Sequence, residues 1–396
     1  MTRLLLTLNA GSSSLKFALF EAERLRAHGR GEIENLGADA RLRWAPARGP
    51  AMARALDPAE GRDHAAALAV ALSTAAAPDV EVAAVGHRIV HGGLTLAKPA
   101  FIDDAVYTTL DALTPLAPLH QPHNLAGVRA ARALFPGAPQ IACFDTAFHR
   151  GHAFAADAYG LPRAFYDEGI RRYGFHGLSY EYVSGRLREI APDVADERVV
   201  IAHLGNGASM CGLREGRSIA STMGFSTLDG LPMGTRPGQL DPGVLLYLMA
   251  AKGYDAARLT DLCYHRSGLL GLSGVSNDWR EIEAAKTPAA RDAVAYFVQR
   301  MVYELGGLVA MLGGLDALVF TGGIGEHSTE LRRDLAAAMG WLGFALDEAA
   351  NRAQATLISS PASRVRIYVI PTDEERRIAE LTREVVSELG IAPRSL

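Results

Sequence analysis

The residues of this 396-residue chain best suited to chemistry lie in two short runs of small and polar side chains, TLNAGSSSLKFALF at 7–20 and VIAHLGNGASMCGLREG at 200–216. Each reads as strand, tight small-residue turn, strand. A turn built of Gly, Ser and Asn leaves backbone amides and hydroxyls facing outward, where they can hydrogen-bond phosphate oxygens. The two runs lie about half a chain apart. That is where a duplicated domain would put them if both halves grip one polyphosphate from opposite sides. Either run alone reads equally well as an ordinary β-hairpin, because Asn and Gly are common turn residues. The pair at equivalent places is the stronger sign.

A third run, ALVFTGGIGEH at 317–327, reads as a buried strand leading into Gly322, Gly323 and Gly325 and then a helix from about Ser328. Glycines there let the backbone lie flat against a planar ligand such as adenine; close helix packing is the other reading. The run lacks the spacing of the GxxxxGK[ST] and GxGxxG motifs, and neither occurs elsewhere in the sequence. His87 and His91 have the spacing of a helical metal pair, but their surroundings read as strand and glycine turn, which argues against zinc. Cys143, Cys211 and Cys263, odd in number and far apart, encode neither a disulfide framework nor a zinc site.

These runs are embedded in an alternation of apolar, β-rich segments and Ala- and Leu-rich helical ones, the pattern of an α/β protein. Residues 63–77 read as one Ala-rich helix. Asp241 and Pro242 read as N-cap and first-turn proline of a helix through Ala250, which leaves 232–241 as a loop. Thr372 and Glu375 have capping-box spacing before a helix in which Ile378, Leu381, Val385 and Leu389 repeat until Gly390. The length exceeds what one core usually organises, so two domains are expected. A net charge of −4 gives no footprint for nucleic acid. The apolar start, Leu4 to Leu6, is too short for a signal peptide, and longer apolar stretches fall below the ~20 residues that span a bilayer, so a cytoplasmic protein off the membrane is expected.

The blocks LNAGSSSLKF, GHRIVHGG, FDTAFH, YGFHG, AHLGNGAS, MGTRPGQLDP, FTGGIGEH and IPTDEE, in this order from residue 8 onward, resemble those of the acetate and propionate kinase family. The resemblance implies a duplicated actin-like (ribonuclease H-like) α/β fold with an active-site cleft between two domains. It also implies a homodimer and reversible transfer of the ATP γ-phosphoryl group to acetate, giving acetyl phosphate and ADP with Mg2+, for which Mn2+ can substitute. The domains are expected at 1–148 plus 385–396, and at 149–384.

Such a reaction needs no general base, because a carboxylic acid is already ionised at pH 7. Its difficulty is charge repulsion between two anions, which positioning, cations and hydrogen-bond donors must overcome. By the resemblance, Arg88 and Arg236 hold the carboxylate and the transferring group, for which a planar guanidinium fork is suited. His176 and Asn206 donate to the phosphoryl group, and His120 and His203 lie near the phosphates. Asp145, Glu374 and Asn9 serve the metal; Asp145 reads equally as a simple N-cap, and the choice between Glu374 and Glu375 stays open. Val90, Leu119, Phe175 and Thr227 line the acyl pocket with Arg88. The nucleotide takes Asn9, Ser12, Ser14 and Lys16 from the first hairpin and His203, Leu204, Gly205, Asn206 and Gly207 from the second. Its adenine end takes Asp278, Arg280, Gly323, Ile324 and Gly325. Three positions depart from the family: Thr227 for a usual proline, Gly322 for alanine and His327 for asparagine. His123, His149 and His152 read as ordinary structural histidines.

Overall fold

Along β1 (Thr2–Ala10), Leu4, Leu6 and Leu8 point to one core and Leu5 to another. A strand apolar on both faces must be covered on both. The structure, a computed structural model, describes residues 2–37, 39–75 and 80–390. The chain divides into two units; one runs through Phe148 and resumes at Asp373, the other is His149–Thr372.

In the first unit, β1 is followed by β2 (Leu15–Glu21), β3 (Ala27–Glu34), β4 (Arg41–Pro46), β5 (Met52–Ala55), β6 (Val80–Ile89), β7 (Ala100–Phe101) and β8 (Gln140–Phe144), arranged β5-β4-β3-β2-β1-β6-β8-β7. Leu4, Leu6, Leu8, Phe17 and Leu19 pack with Leu68 and Ala71 of the helix His64–Ala75. On the opposite face Leu5, Ala18, Phe20 and Ala84 meet Ala379 of the helix Glu374–Glu388. The Ala-rich helix therefore spans 64–75 of the expected 63–77; residues 76 and 77 lie outside the described residues.

The second unit carries β9 (Val199–Leu204), β10 (Ala208–Arg214), β11 (Arg217–Ser221), β12 (Ala317–Thr321) and β13 (Arg366–Val369) in the order β11-β10-β9-β12-β13. This repeats β3-β2-β1-β6-β8 strand for strand: three antiparallel strands, then two added in parallel. The β1–β2 and β9–β10 hairpins thus occupy equivalent places, as the half-chain spacing of the two runs indicates.

Three boundaries differ from expectation. The terminal helix is capped by Asp373, whose carboxylate accepts from Arg376 N, rather than by Thr372. Asp is as good a cap as Thr, and the Thr372 hydroxyl is engaged with Ser179 at 2.8 Å. Leu389, the last member of the apolar repeat, is exposed. The division of the chain falls before this helix, at 372/373, and not within it at 384/385. The helix buries Ile378, Ala379, Leu381 and Thr382 as one element, and a break at 384 would split it. Residues 391–396 lie outside the described residues. The third glycine run starts a short helix already at Gly322 (Gly322–His327), and Ser328 caps a second one, Thr329–Ala338.

Candidate active site

In the first unit the ends of β1, β6 and β8 and the start of the terminal helix bring together Asn9, Arg88, Asp145 and Glu374. Arg88 Nε donates to Asp145 Oδ1 at 3.1 Å and its Nη2 to the other carboxylate oxygen. Its Nη1 donates to Asn9 Oδ1 at 3.2 Å, and Glu374 Oε2 stands 3.8 Å from Nε. Asp145 is thereby the partner of an arginine and not a helix cap. Burial opposes the charge on Arg88, but Asp145 and Glu374 more than restore it, so its pKa is raised. Burial pushes Glu374 up to about 7, with Asp145 and Glu375 adding to the rise against the pull of Arg88. Two carboxyl groups thus crowd one guanidinium, and a cation beside them would hold Glu374 ionised. The cluster's oxygen donors, two carboxylates and an amide, are the hard set a magnesium ion takes, so the residues fit that ion.

The other expected residues of this unit lie in the β1–β2 turn, on β2, just past β6 and before the helix Gln121–Leu134. Ser12 and Ser14 form the β1–β2 turn, closed by Gly11 N donating to Ser14 O. Lys16 is the cross-strand partner of Asn9, but its ammonium faces Glu32 at 3.6 Å. Val90 is buried just past β6, its amide donating to Asn124 Oδ1. Leu119 sits half-buried in the turn before His120, which occupies the N-cap of the helix Gln121–Leu134.

In the second unit His176 has left-handed backbone, φ 59°, at the N-cap of the helix Gly177–Ile190. Such a conformation is uncommon outside glycine and is found at functional sites. It stacks the His176 ring on His203, centroids 4.3 Å apart, and a β-carbon on Gly207 would stand 3.2 Å from His176 Nε2. His176 Nδ1 bonds Ser209 Oγ and His203 Nδ1 bonds Ser179 Oγ, each at 2.8 Å. The Asn206 side chain lies on Gly234, where a β-carbon would meet its Oδ1 at 1.9 Å. Arg236 sits half-buried in a loop that docks on Ser267–Leu270 through backbone bonds from Ser267, Leu269 and Leu270. Phe175 is buried, its carbonyl accepting from His149 Nε2, and Thr227 is half-buried in the loop before Arg236.

A cleft of about 440 Å³, in the size range of small-molecule sites, is walled by Gly205, Asn206, Asp278, Arg280, Gly323 and Ile324. Asn277, Trp279, Glu283, His327 and Ser328 complete it; sequence reading picked out only His327 among these. Asp278 caps the helix Trp279–Ala284 and pairs with Arg280. Gly325 is buried behind the wall. Two further residues were not legible beforehand. Glu326 Oε1 accepts from Gly322 N at 2.9 Å and Thr372 N at 3.2 Å. The buried Arg332 donates to the carbonyls of Gly325 and Glu326, both at 2.7 Å. Both brace the glycine turn from behind, and each also ties it to a distant segment, Glu326 to Thr372 and Arg332 to Asn351.

The repeated strand order, with a small-residue hairpin in each copy, makes this a duplicated actin-like protein. Residues 4–380 match the Acetokinase family. The chain is 53% identical to an acetate kinase of Methylocella silvestris, covering 99% of this chain and 100% of the relative. It is 52% identical to one of Nitrobacter hamburgensis, at 96% and 95% coverage. Among solved structures, acetate kinase of Porphyromonas gingivalis superposes with a TM-score of 0.87 at 38% identity (97% of this chain, 100% of that one). A propionate kinase of Francisella tularensis gives 0.90 at 34%, with the same coverage. The chain belongs to the acetokinase family.

Proposed function

We propose that the chain transfers the ATP γ-phosphoryl group reversibly to acetate, giving acetyl phosphate and ADP by direct in-line attack. The observation that carries this reading is the half-buried cluster of Arg88, Asn9 and Glu374 around the buried Asp145. It offers a guanidinium fork for a carboxylate or phosphoryl group beside oxygen donors for a cation, and ionised acetate needs no base. Arg236 is the second cationic donor, and His176 and Asn206 are neutral donors to the phosphoryl oxygens. Asn9, Asp145 and Glu374 would hold Mg2+ (or Mn2+), which screens the phosphate charge when bound. The adenine end lies against Asp278, Arg280, Gly323 and Ile324, and the acyl methyl group against Val90, Leu119, Phe175 and Thr227. The division of labour is 1–148 with the terminal helix for acetate and metal, and the remainder for most of the nucleotide. The protein works as a cytoplasmic homodimer.

The test is hydroxylamine trapping of acyl phosphate with acetate, propionate and butyrate. Acetyl hydroxamate formation that depends on ATP and Mg2+ supports the reading; its absence in folded protein removes it. In the same assay Arg236→Ala is expected to lose ~100-fold or more in turnover, by analogy with losing one preorganised donor. Turnover within threefold of the parent would take Arg236 out of the reaction.

A further inference from the structure

The parallel strands β1 and β6 stay paired only as far as Leu8 and His87. Beyond that point each keeps its outer neighbour, β1 pairing with β2 as far as Ala10 and Leu15, and β6 with β8 as far as Ile89 and Phe144. A split therefore opens at the carboxyl ends of the two strands, the place where open α/β sheets bind ligands. The next residues along each strand are Asn9 and Arg88 of the cluster described above, bonded to each other through their side chains. Buried backbone groups at such a split lose their ladder partners and need others. The side-chain amide of Asn124, 3% exposed, supplies both kinds: its Oδ1 accepts from Val90 N at 3.0 Å and its Nδ2 donates to Ala10 O at 2.7 Å. A backbone carbonyl can only accept and a backbone N–H can only donate, so these two bonds fix which way the amide faces.

We propose that Asn124 is a positioning residue for phosphoryl transfer: it holds the Val90 end of β6 and the turn end of β1 at a set separation, and His64 extends the hold to the next carbonyl of the turn. The inference rests on the roles proposed above for Val90 and for the β1–β2 turn. His64 Nε2 donates to Gly11 O at 2.8 Å. Ser13 O accepts from Leu36 N and Ser14 O from Gly11 N, both at 2.9 Å. With these carbonyls engaged, the amides of Ser12, Ser13 and Ser14 have no acceptor among the described residues, and successive amides left so form an anion-binding concavity. Packing brings both side chains within reach. The helices His64–Ala75 and Gln121–Leu134 bury Leu68 and Ala71, and Ala130 and Ala131, in the same core. A β-carbon on Gly127 would stand 3.0 Å from that of Ala10, so the second helix lies close enough for a side chain as short as Asn to bridge the split. One amide thus joins the acyl wall to the phosphate turn. A shift of ~1 Å between reacting groups can cost ~100-fold in rate.

The experiment compares Asn124→Leu, His64→Ala and His64→Gln with the parent by amide hydrogen exchange, by calorimetric titration with ADP and by initial rates with acetate and propionate. Asn124→Leu fills the space but makes neither bond; it is expected to speed exchange of the Val90 amide ~10-fold or more, lower kcat ~10- to 100-fold and move the acetate-to-propionate ratio of kcat/KM ~3-fold or more. His64→Ala touches only the turn. It is expected to weaken ADP binding and raise KM for ATP, each ~3- to 10-fold, with Val90 exchange and the acid ratio unchanged. His64→Gln, whose amide can donate to the same carbonyl, should return both values to within about threefold of the parent. Folded Asn124→Leu protein with parental kcat and acid ratio, even if less heat-stable, overturns the proposal and leaves Asn124 a structural residue. A His64→Gln protein as impaired as His64→Ala overturns the hold on Gly11, a result that stands even if Asn124→Leu does not fold. If the parent forms no acyl phosphate, the reaction proposed above fails, while Val90 exchange and ADP affinity still decide the clamp.

Discussion

Val90, proposed above to line the acyl pocket, and Gly322 in the glycine turn are positions where one substitution tests the site. Val90 is 2% exposed, so its methyl groups are fixed by packing. A β-branched side chain fills space next to the backbone, and an extra substrate methylene would have to displace it. Val90→Ala should shift the acetate-to-propionate ratio of kcat/KM ~10- to 200-fold toward propionate, the worth of one methylene. An unchanged ratio in a folded variant removes Val90 from the acyl pocket. Gly322 departs from the alanine of the family, and the backbone accounts for it: φ is 77°, and a β-carbon would stand 2.7 Å from Leu204 O. The obstructing atom is main chain of β9, so relief requires moving the strand. Gly322→Ala is expected to cost ~1–3 kcal/mol and to raise KM for ATP ~10-fold, checked by thermal unfolding and initial rates. Unchanged values in both would mean that the turn adjusts freely.

Pairs of elements carry the acid response. His87 on β6 bonds Gln140 on β8 at 2.8 Å, and His149 and His152 share Ser218 on β11. Burial pushes His87 down to about 4, His149 to about 3 and His152 to about 4, with Arg132, His152 and Arg150 respectively assisting. A depressed histidine pKa means that the unfolded chain takes up the proton first. Stability therefore falls as pH drops below the unfolded value of ~6.5 and stops falling only near the folded pKa, by up to ~1.4 kcal/mol per pH unit for each group. Glu374, pushed up to about 7, works oppositely by taking its proton in the folded state, but it is one group against three. Unfolding followed by urea at pH 7.5 and 5.0 should show a clear loss at pH 5.0. Equal midpoints would show that these histidines can be protonated where they stand. The hairpins, the glycine run and the helix after Asp241 were legible because turn residues and caps act within a few positions. Ser209, Glu326, Arg332 and the Asp373 cap were not: Ser209 meets His176 and Glu326 meets Thr372 far along the chain, Arg332 has the sequence surroundings of a surface arginine although it is buried, and Asp373 competes with an equally good neighbour.

For the molecule as a whole, the helix Pro242–Lys252 is the element left to explain. Asp241 caps its start by accepting from Gly243 N, and Gly253 ends it with φ 65°. The helix is thus closed at both ends by its own residues, yet Val244, Leu246, Tyr247 and Met249 are 42%, 65%, 57% and 48% exposed. From Pro242 to Ala251 the sequence has no charged residue. A surface helix ordinarily keeps a polar face toward water, and a contiguous apolar face marks an interaction site. In the homodimer proposed above, a second copy would be its occupant, since two-fold pairing sets an uncharged face against itself without needing a complementary charge. Each large side chain so covered contributes about 1.5–3 kcal/mol, counted once on each copy. A dimer at micromolar concentration is therefore expected in analytical ultracentrifugation. Leu246→Glu places two carboxylates in the pair, one from each copy, and should yield a folded monomer, with far-UV circular dichroism unchanged because the residue is exposed in the single chain. A parent that sediments as a monomer would refute the pairing, and a Leu246→Glu protein that remains dimeric would move the contact to another face.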